Sequence, residues 1–134
     1  MTKQQLNIGD TATLSKQFLE ADVQAFADAT GDHNPVHLDE EFARNTRFGK
    51  RIAHGMLSAS LISSAIANQL PGPGSVYISQ TLKFVSPVYL GDTVTARITV
   101  IAVRQDKPIV SLETVCENQH GEVVLKGEAT VLVQ

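Results

Sequence analysis

The 134-residue sequence has no tryptophan, a single cysteine, two methionines and only 5% aromatic residues. One cysteine, Cys116, excludes an internal disulfide, so the fold must rest on burial alone, and a reducing, cytoplasmic setting is the default for such usage. Cys116 alternates with Leu112 and Thr114 as a strand residue does and has no helix start or basic neighbour beside it, so it reads as packing and not as a nucleophile. No block of one charge sign occurs: 11 Lys and Arg are scattered among 14 Asp and Glu, for a net charge of −3, which argues against a nucleic-acid partner. No apolar run reaches the roughly twenty residues of a membrane span, and polar Met1 to Gln5 lead into no apolar leader segment.

The most informative absence is internal. Between Arg51 and Lys83 there is no Asp, Glu, Lys or Arg, in a chain that is 19% charged. Within that stretch Met56 to Leu70 is mostly Leu, Ile, Ala and Ser without Gly or Pro, which predicts a helix that is apolar or small on nearly every face and therefore buried. Pro71-Gly72-Pro73-Gly74 ends it; the spacing is that of a turn, not of a phosphate-binding loop.

Elsewhere the pattern alternates between elements. Thr11 to Phe18 is a first strand. Val23, Phe26, Ala27 and Thr30 share one helical face over Ala21 to Thr30, with Gly31 where a helix would end. Asn34-Pro35 is a turn signal, and Asp39 can cap a short helix through Glu40 to Ala43. In the second half four runs alternate: Val76/Ile78/Leu82/Phe84, Val94/Ala96/Ile98/Val100, Val110/Leu112/Thr114/Cys116, and Val123/Leu125/Gly127/Ala129/Val131/Val133. Each offers one face to a core, and the short connections between them suit antiparallel neighbours. The expectation is an α+β fold over residues 1–134, one domain, with a sheet of about five strands wrapped around the uncharged helix. Pairing an exposed edge strand with a second copy would close it, so a homodimer is expected.

Two groups of residues can carry chemistry. Asp32 and His37 stand five apart across the Asn-Pro turn, where a carboxylate and an imidazole can share one water, one taking its proton while the other gives one to a substrate atom. The plainer alternative is an Asx turn closed by Asp32 and a loop carbonyl bound by His37. Asp32, His33, His37 and Asp39 are weak metal ligands as a set, because Pro35 breaks any helical spacing between the histidines. Gly55, at the start of the buried helix, presents N–H groups that no helical carbonyl can take, a site for a developing oxyanion, or else merely a tightly packed helix start. His54 reads as a cap or a hydrogen-bonded core residue, and Ser63 as either a brace for a carboxylate or a small residue that lets the helix sit close. Lys50, Arg51, Lys83, Arg104 and Lys107 are the candidates for phosphate contacts or, as readily, surface charges.

Asp32-His33-Asn34-Pro35-Val36-His37, followed by His54-Gly55-Met56, resembles the MaoC-like hydratases, and most closely the short single-domain (R)-specific enoyl-CoA hydratases that supply polyhydroxyalkanoate synthesis. The resemblance extends through Leu57-Ser58-Ala59-Ser60-Leu61, Gln69-Leu70-Pro71-Gly72, Ser86-Pro87-Val88 and Gly91-Asp92. It implies a hot-dog fold, a homodimer, an enoyl-CoA substrate and no cofactor or metal. It further implies that Asp32 and His37 are the acid/base pair, that Asn34 holds the loop or the water, and that the Gly55 amide receives the thioester oxygen. Ser63, Ile66 and Val131 would bound the acyl chain. On the same fold a thioesterase, a 3-hydroxyacyl-carrier-protein dehydratase and a non-catalytic acyl-CoA binding module remain open at this stage.

Overall fold

The computed structural model describes residues 6–134; the polar stretch Met1 to Gln5 lies outside the described residues. The order of elements is β1 (Thr11–Gln17), α1 (Glu20–Thr30), α2 (Pro35–Leu38), α3 (Glu40–Arg44), α4 (Gly55–Asn68), β2 (Val76–Gln80), β3 (Lys83–Phe84), β4 (Thr93–Val103), β5 (Ile109–Glu117) and β6 (Val123–Leu132).

Local chemistry explains each helix. The Asp22 carboxylate accepts the Leu19 N–H at 2.9 Å to start α1, which buries Val23 and Ala27 and ends at Gly31, whose φ of 82° is the left-handed conformation that glycine adopts without cost. The segment after it is not wholly the loop its Asn-Pro signal predicts. Asn34 accepts the Val36 N–H at 3.2 Å and Pro35 takes the first helical position, where its missing N–H costs nothing, so residues 35–38 form one helical turn. Asp39 caps α3 through the Phe42 N–H at 3.0 Å, as its position predicts.

The sheet is antiparallel in the order β1-β4-β5-β6-β2, with β3 also on β6. Its long central strands place Val94, Ala96, Ile98, Val100, Val110, Leu112 and Cys116 in the core, the inward sets that alternation predicts. Burial pushes the Cys116 thiol up to about 12, which leaves it an unreactive packing group. Helix α4 packs on β1, β4 and β5 through Leu57, Leu61, Ile62, Ala65 and Ile66. Each Leu or Ile so buried contributes about 1.5–3 kcal/mol relative to exposure, which is why this helix needs no capping side chain of its own. The result is the hot-dog arrangement of an antiparallel sheet around a helix.

Three expectations are corrected. Helix α4 is buried on one face only: Met56 is 57% exposed, and Ser60, Ser63 and Ala67 continue an open, uncharged stripe. The run Val76 to Phe84 is not one inward-facing strand; it breaks at Thr81-Leu82, and Val76 and Ile78 are exposed because β2 is an edge strand whose apolar side has nothing over it in the single chain, while Phe84, in β3, is half exposed. In β6 both Val124 and Leu125 are buried and Val123 is not, since a register shift opposite Cys116/Glu117 interrupts the simple alternation.

Candidate active site

Helix α1 delivers the chain to Asp32, and a chain of short bonds sets the turn that follows. Thr30 Oγ1 accepts the Asp32 N–H at 3.2 Å, Asp32 Oδ1 accepts the Asn34 N–H at 3.3 Å, and Asn34 caps α2. His37, in that single helical turn, is 8% exposed. Its Nδ1 lies 2.7 Å from the Ile52 carbonyl, so Nδ1 carries the proton and donates, leaving the Nε2 lone pair for another partner. The plain reading of these residues, an Asx turn and a loop-carbonyl bond, is thus present, and it orients the pair instead of using it up.

Two more residues complete the support: His54, as the cap or core residue it reads as in the sequence, and Arg51, which reads there as a phosphate contact or surface charge. His54, 1% exposed, points Nε2 at the Asp32 carbonyl at 3.1 Å and stacks on His37 with ring centroids 4.0 Å apart. Phe26 of α1 flanks its ring at 4.7 Å. Arg51 donates through Nε to the His37 carbonyl at 2.7 Å and reaches Glu20 of α1 at 2.6 Å, which holds α2 against α1. It is therefore a brace for His37 and not a phosphate contact. Arg104 is likewise committed, to Asp106 at 2.7 Å, and Lys50 lies over the Tyr89 ring at 4.5 Å.

One polar atom each of Asp32, His37 and His54 lies within 4.8 Å of the other two. These are the residues that could hold a cation among those described. His33, which pairs with Asp28 at 3.3 Å, and Asp39, which caps α3, are drawn away from any such set. His54 Nε2 is engaged with the Asp32 carbonyl, whereas a carboxylate near an imidazole that keeps a free lone pair suits proton transfer.

A cavity of about 320 Å³ opens beside this group. His37, Gly55 and Ser58 supply its polar side, and Phe48, Ile52, Phe84, Val85, Pro87, Val88 and Leu125 its apolar wall. Gly55 is the first residue of α4, so its N–H precedes any carbonyl in the helix that could accept it, with the helix dipole behind. The Phe84 ring covers it so closely that a Cβ on Gly55 would stand 2.8 Å from Phe84 Cε1. Of the residues expected to bound an acyl chain, Ser63 lies on the open face of α4, and Ile66 and Val131 sit in the core; none of the three lines this cavity. Ser58 and Phe84 do, and the sequence signal for Ser58 was its place one turn after Gly55.

Burial holds the His37 imidazole below its usual 6.5, helped by the His54 and Arg51 charges and opposed by the Ile52 carbonyl bond and the Asp32 carboxylate. Between the folded and unfolded values the unfolded chain binds more protons. Stability therefore rises with pH through that window and is lost as pH falls through the folded value. The same shift extends to lower pH the range over which Nε2 is unprotonated. The acid limb of kcat/KM, measured over a pH series, should have its midpoint below 6.5; a midpoint at or above that value contradicts the assignment.

An antiparallel sheet around a helix, with a carboxylate–imidazole pair whose His37 lines one cavity together with Gly55 at the helix start, defines a hot-dog hydro-lyase. The family model described as "MaoC like domain" matches residues 2–121, and the chain belongs to this family. It is 50% identical over 131 residues, 98% of each chain, to the (R)-specific enoyl-CoA hydratase of Aeromonas caviae. The solved structure of the A. caviae (R)-hydratase involved in PHA biosynthesis superposes with a TM-score of 0.95 at 49% identity, covering 98% of this chain and 99% of that one. A mitochondrial 3-hydroxyacyl-[acyl-carrier-protein] dehydratase of Arabidopsis thaliana is 40% identical over 135 residues, 98% of this chain and 80% of the relative.

Proposed function

We propose that this protein adds water across a trans-2-enoyl-CoA to give an (R)-3-hydroxyacyl-CoA, the step that links fatty-acid β-oxidation to polyhydroxyalkanoate precursors. The observation that carries the reading is that His37, with a ring nitrogen within 4.8 Å of an Asp32 carboxylate oxygen, shares the wall of one largely apolar cavity with Gly55 at the start of α4. The thioester oxygen sits on the Gly55 N–H, which withdraws charge and makes C3 electrophilic. A water held between the Asp32 carboxylate and His37 Nε2 attacks C3; its proton passes to the pair, and C2 receives a proton from the same pair. Because one water and one pair serve both carbons, both groups arrive on one face of the alkene. Asn34 acts by capping α2 and so fixing His37. No cofactor enters this chemistry.

Loss of the enoyl thioester absorbance with crotonyl-CoA, followed by chiral analysis of the product, tests the reading. An (S) product, release of free CoA, or binding without turnover overturns it, the last two pointing to a thioesterase or a binding module. Turnover confined to carrier-protein thioesters would favour the dehydratase activity named for the plant relative.

The protein acts as a homodimer in this reading. Edge strand β2 exposes Val76, Tyr77 and Ile78, and the open stripe of α4 carries no charge, a surface suited to a second copy and costly in water. Ile78→Asp should shift the sedimentation mass from two chains to one; a wild-type protein that sediments as one chain contradicts the proposal. Ser63 then contributes to acyl length only once the partner closes over α4. Ile66 and Val131 set how far a chain can be pushed between α4 and the sheet. A cytoplasmic location accords with the single buried thiol; among the described residues no helix is long and apolar enough to cross a membrane. We take residues 1–134 to work as one domain.

A further inference from the structure

Ser58 is 2% exposed, yet its hydroxyl is among the few buried side-chain atoms of the described residues that have no hydrogen-bond partner. Such an atom costs about 1–3 kcal/mol, and alanine would fill the same space without it. A helical serine ordinarily turns its hydroxyl back to the carbonyl four residues earlier. Here that carbonyl belongs to His54 and already accepts the N–H groups of Leu57 at 3.1 Å and Ser58 at 3.2 Å. The other two orphaned atoms, Arg51 Nη2 and His54 Nδ1, belong to residues away from the cavity wall, whereas Ser58 lines the cavity with Gly55 and His37. Gly55 and Ser58 are three residues apart in α4 and so lie on one face of its first turn.

We infer that the Ser58 hydroxyl is a second donor to the substrate's thioester oxygen, beside the Gly55 amide, an inference that rests on the hydratase reading above. As the water oxygen bonds to C3 and its proton leaves to the Asp32–His37 pair, the alkene π electrons move through C2 and C1 onto that oxygen. The resulting enolate takes a proton at C2 and the carbonyl re-forms, so the added atoms are those of one water. Negative charge on the oxygen is transient, and a hydroxyl that meets no other partner strengthens its bond at that stage. Ser58 is thereby a catalytic residue, unlike Arg51 and His54, which act through others.

Wild type and Ser58→Ala are compared with crotonyl-CoA. The variant should lose about 10²-fold in kcat while KM moves by less than about threefold, the signature of a contact made in the transition state. Its melting temperature should equal or exceed that of wild type, because an unpaired buried hydroxyl has been removed. Acetoacetyl-CoA, whose enolate has its own ultraviolet band, gives an independent readout: binding should favour the enolate in wild type and less so in Ser58→Ala. An active wild type with a variant whose kcat stays within about threefold overturns the inference alone. A kcat loss that comes with a lowered melting temperature and an unchanged enolate band overturns it too. A wild type that hydrates nothing brings down the functional reading on which it stands.

Discussion

Replacing Asp32 by Asn, or His37 by Asn, should each lower kcat for crotonyl-CoA hydration by about 10³-fold, the middle of the range for a positioned general acid or base. The substitutions are chosen to leave the site standing. Asn at 32 keeps an oxygen to accept the Asn34 N–H, which now bonds at 3.3 Å, and Asn at 37 places an NH₂ where Nδ1 donates to Ile52 at 2.7 Å. What each removes is a titrating atom. The double variant should be little slower than either single one, because both groups serve one water and losing either disables the unit. Unchanged circular dichroism and elution volume would separate this from unfolding. Near-wild-type turnover in both single variants would overturn the assignment, as would losses that multiply in the double.

The nearness of Asp32 to His37 was legible because their spacing spans five residues around a proline, so local backbone rules bring them together. Helix α4 was legible to within two residues at either end, and the inward sets of β4 and β5 in full, since periodicity reports directly on which side of an element meets the core. Where the reading of strand β2 misled, the cause lies outside the single chain. Val76 and Ile78 alternate as core residues do, but the surface they fit is not supplied by the chain itself. His54, read as a cap or a hydrogen-bonded core residue, is both the N-cap of α4 and buried, with partners in Asp32, 22 residues earlier, and the ring of His37. Ser63, eight residues after Gly55, seemed to share its face. At 3.6 residues per turn it lies roughly 80° round the helix, enough to leave the cavity, whereas Ser58 stays on the cavity side.

Gly127 carries the second large effect, on stability. In the sequence it sits among the inward residues of the last strand, between Leu125 and Ala129, where a small side chain would be expected to fit. In the structure the chain between β2 and β3 crosses over it. Thr81 donates its N–H to the Glu128 carbonyl at 2.9 Å, and its hydroxyl accepts the Glu128 N–H at 2.9 Å. The Gln80 amide then ties the Thr81 carbonyl at 2.8 Å and Thr114 at 3.0 Å. A Cβ on Gly127 would stand 1.8 Å from that carbonyl oxygen, and the obstacle is backbone, which cannot rotate away as a side chain can. Gly127→Ala should therefore cost about 3 kcal/mol, the upper end for overpacking, and lower the melting midpoint by on the order of 10 °C. Gly121→Asn is the control: that glycine has a φ of 75° that Asn tolerates and nothing within 4 Å of a Cβ, so its melting point should stay close to wild type. The damage at position 127 should also reach activity below the melting point. Relieving the clash means lifting the Thr81 crossing off β6, and β3 follows directly, with Phe84 paired to Leu125 and forming the wall over Gly55. Hydrogen exchange should show β3 and β2 losing protection while β4 and β5 keep theirs. A Gly127→Ala protein that melts within about 3 °C of wild type would mean that Thr81 has another path across the sheet.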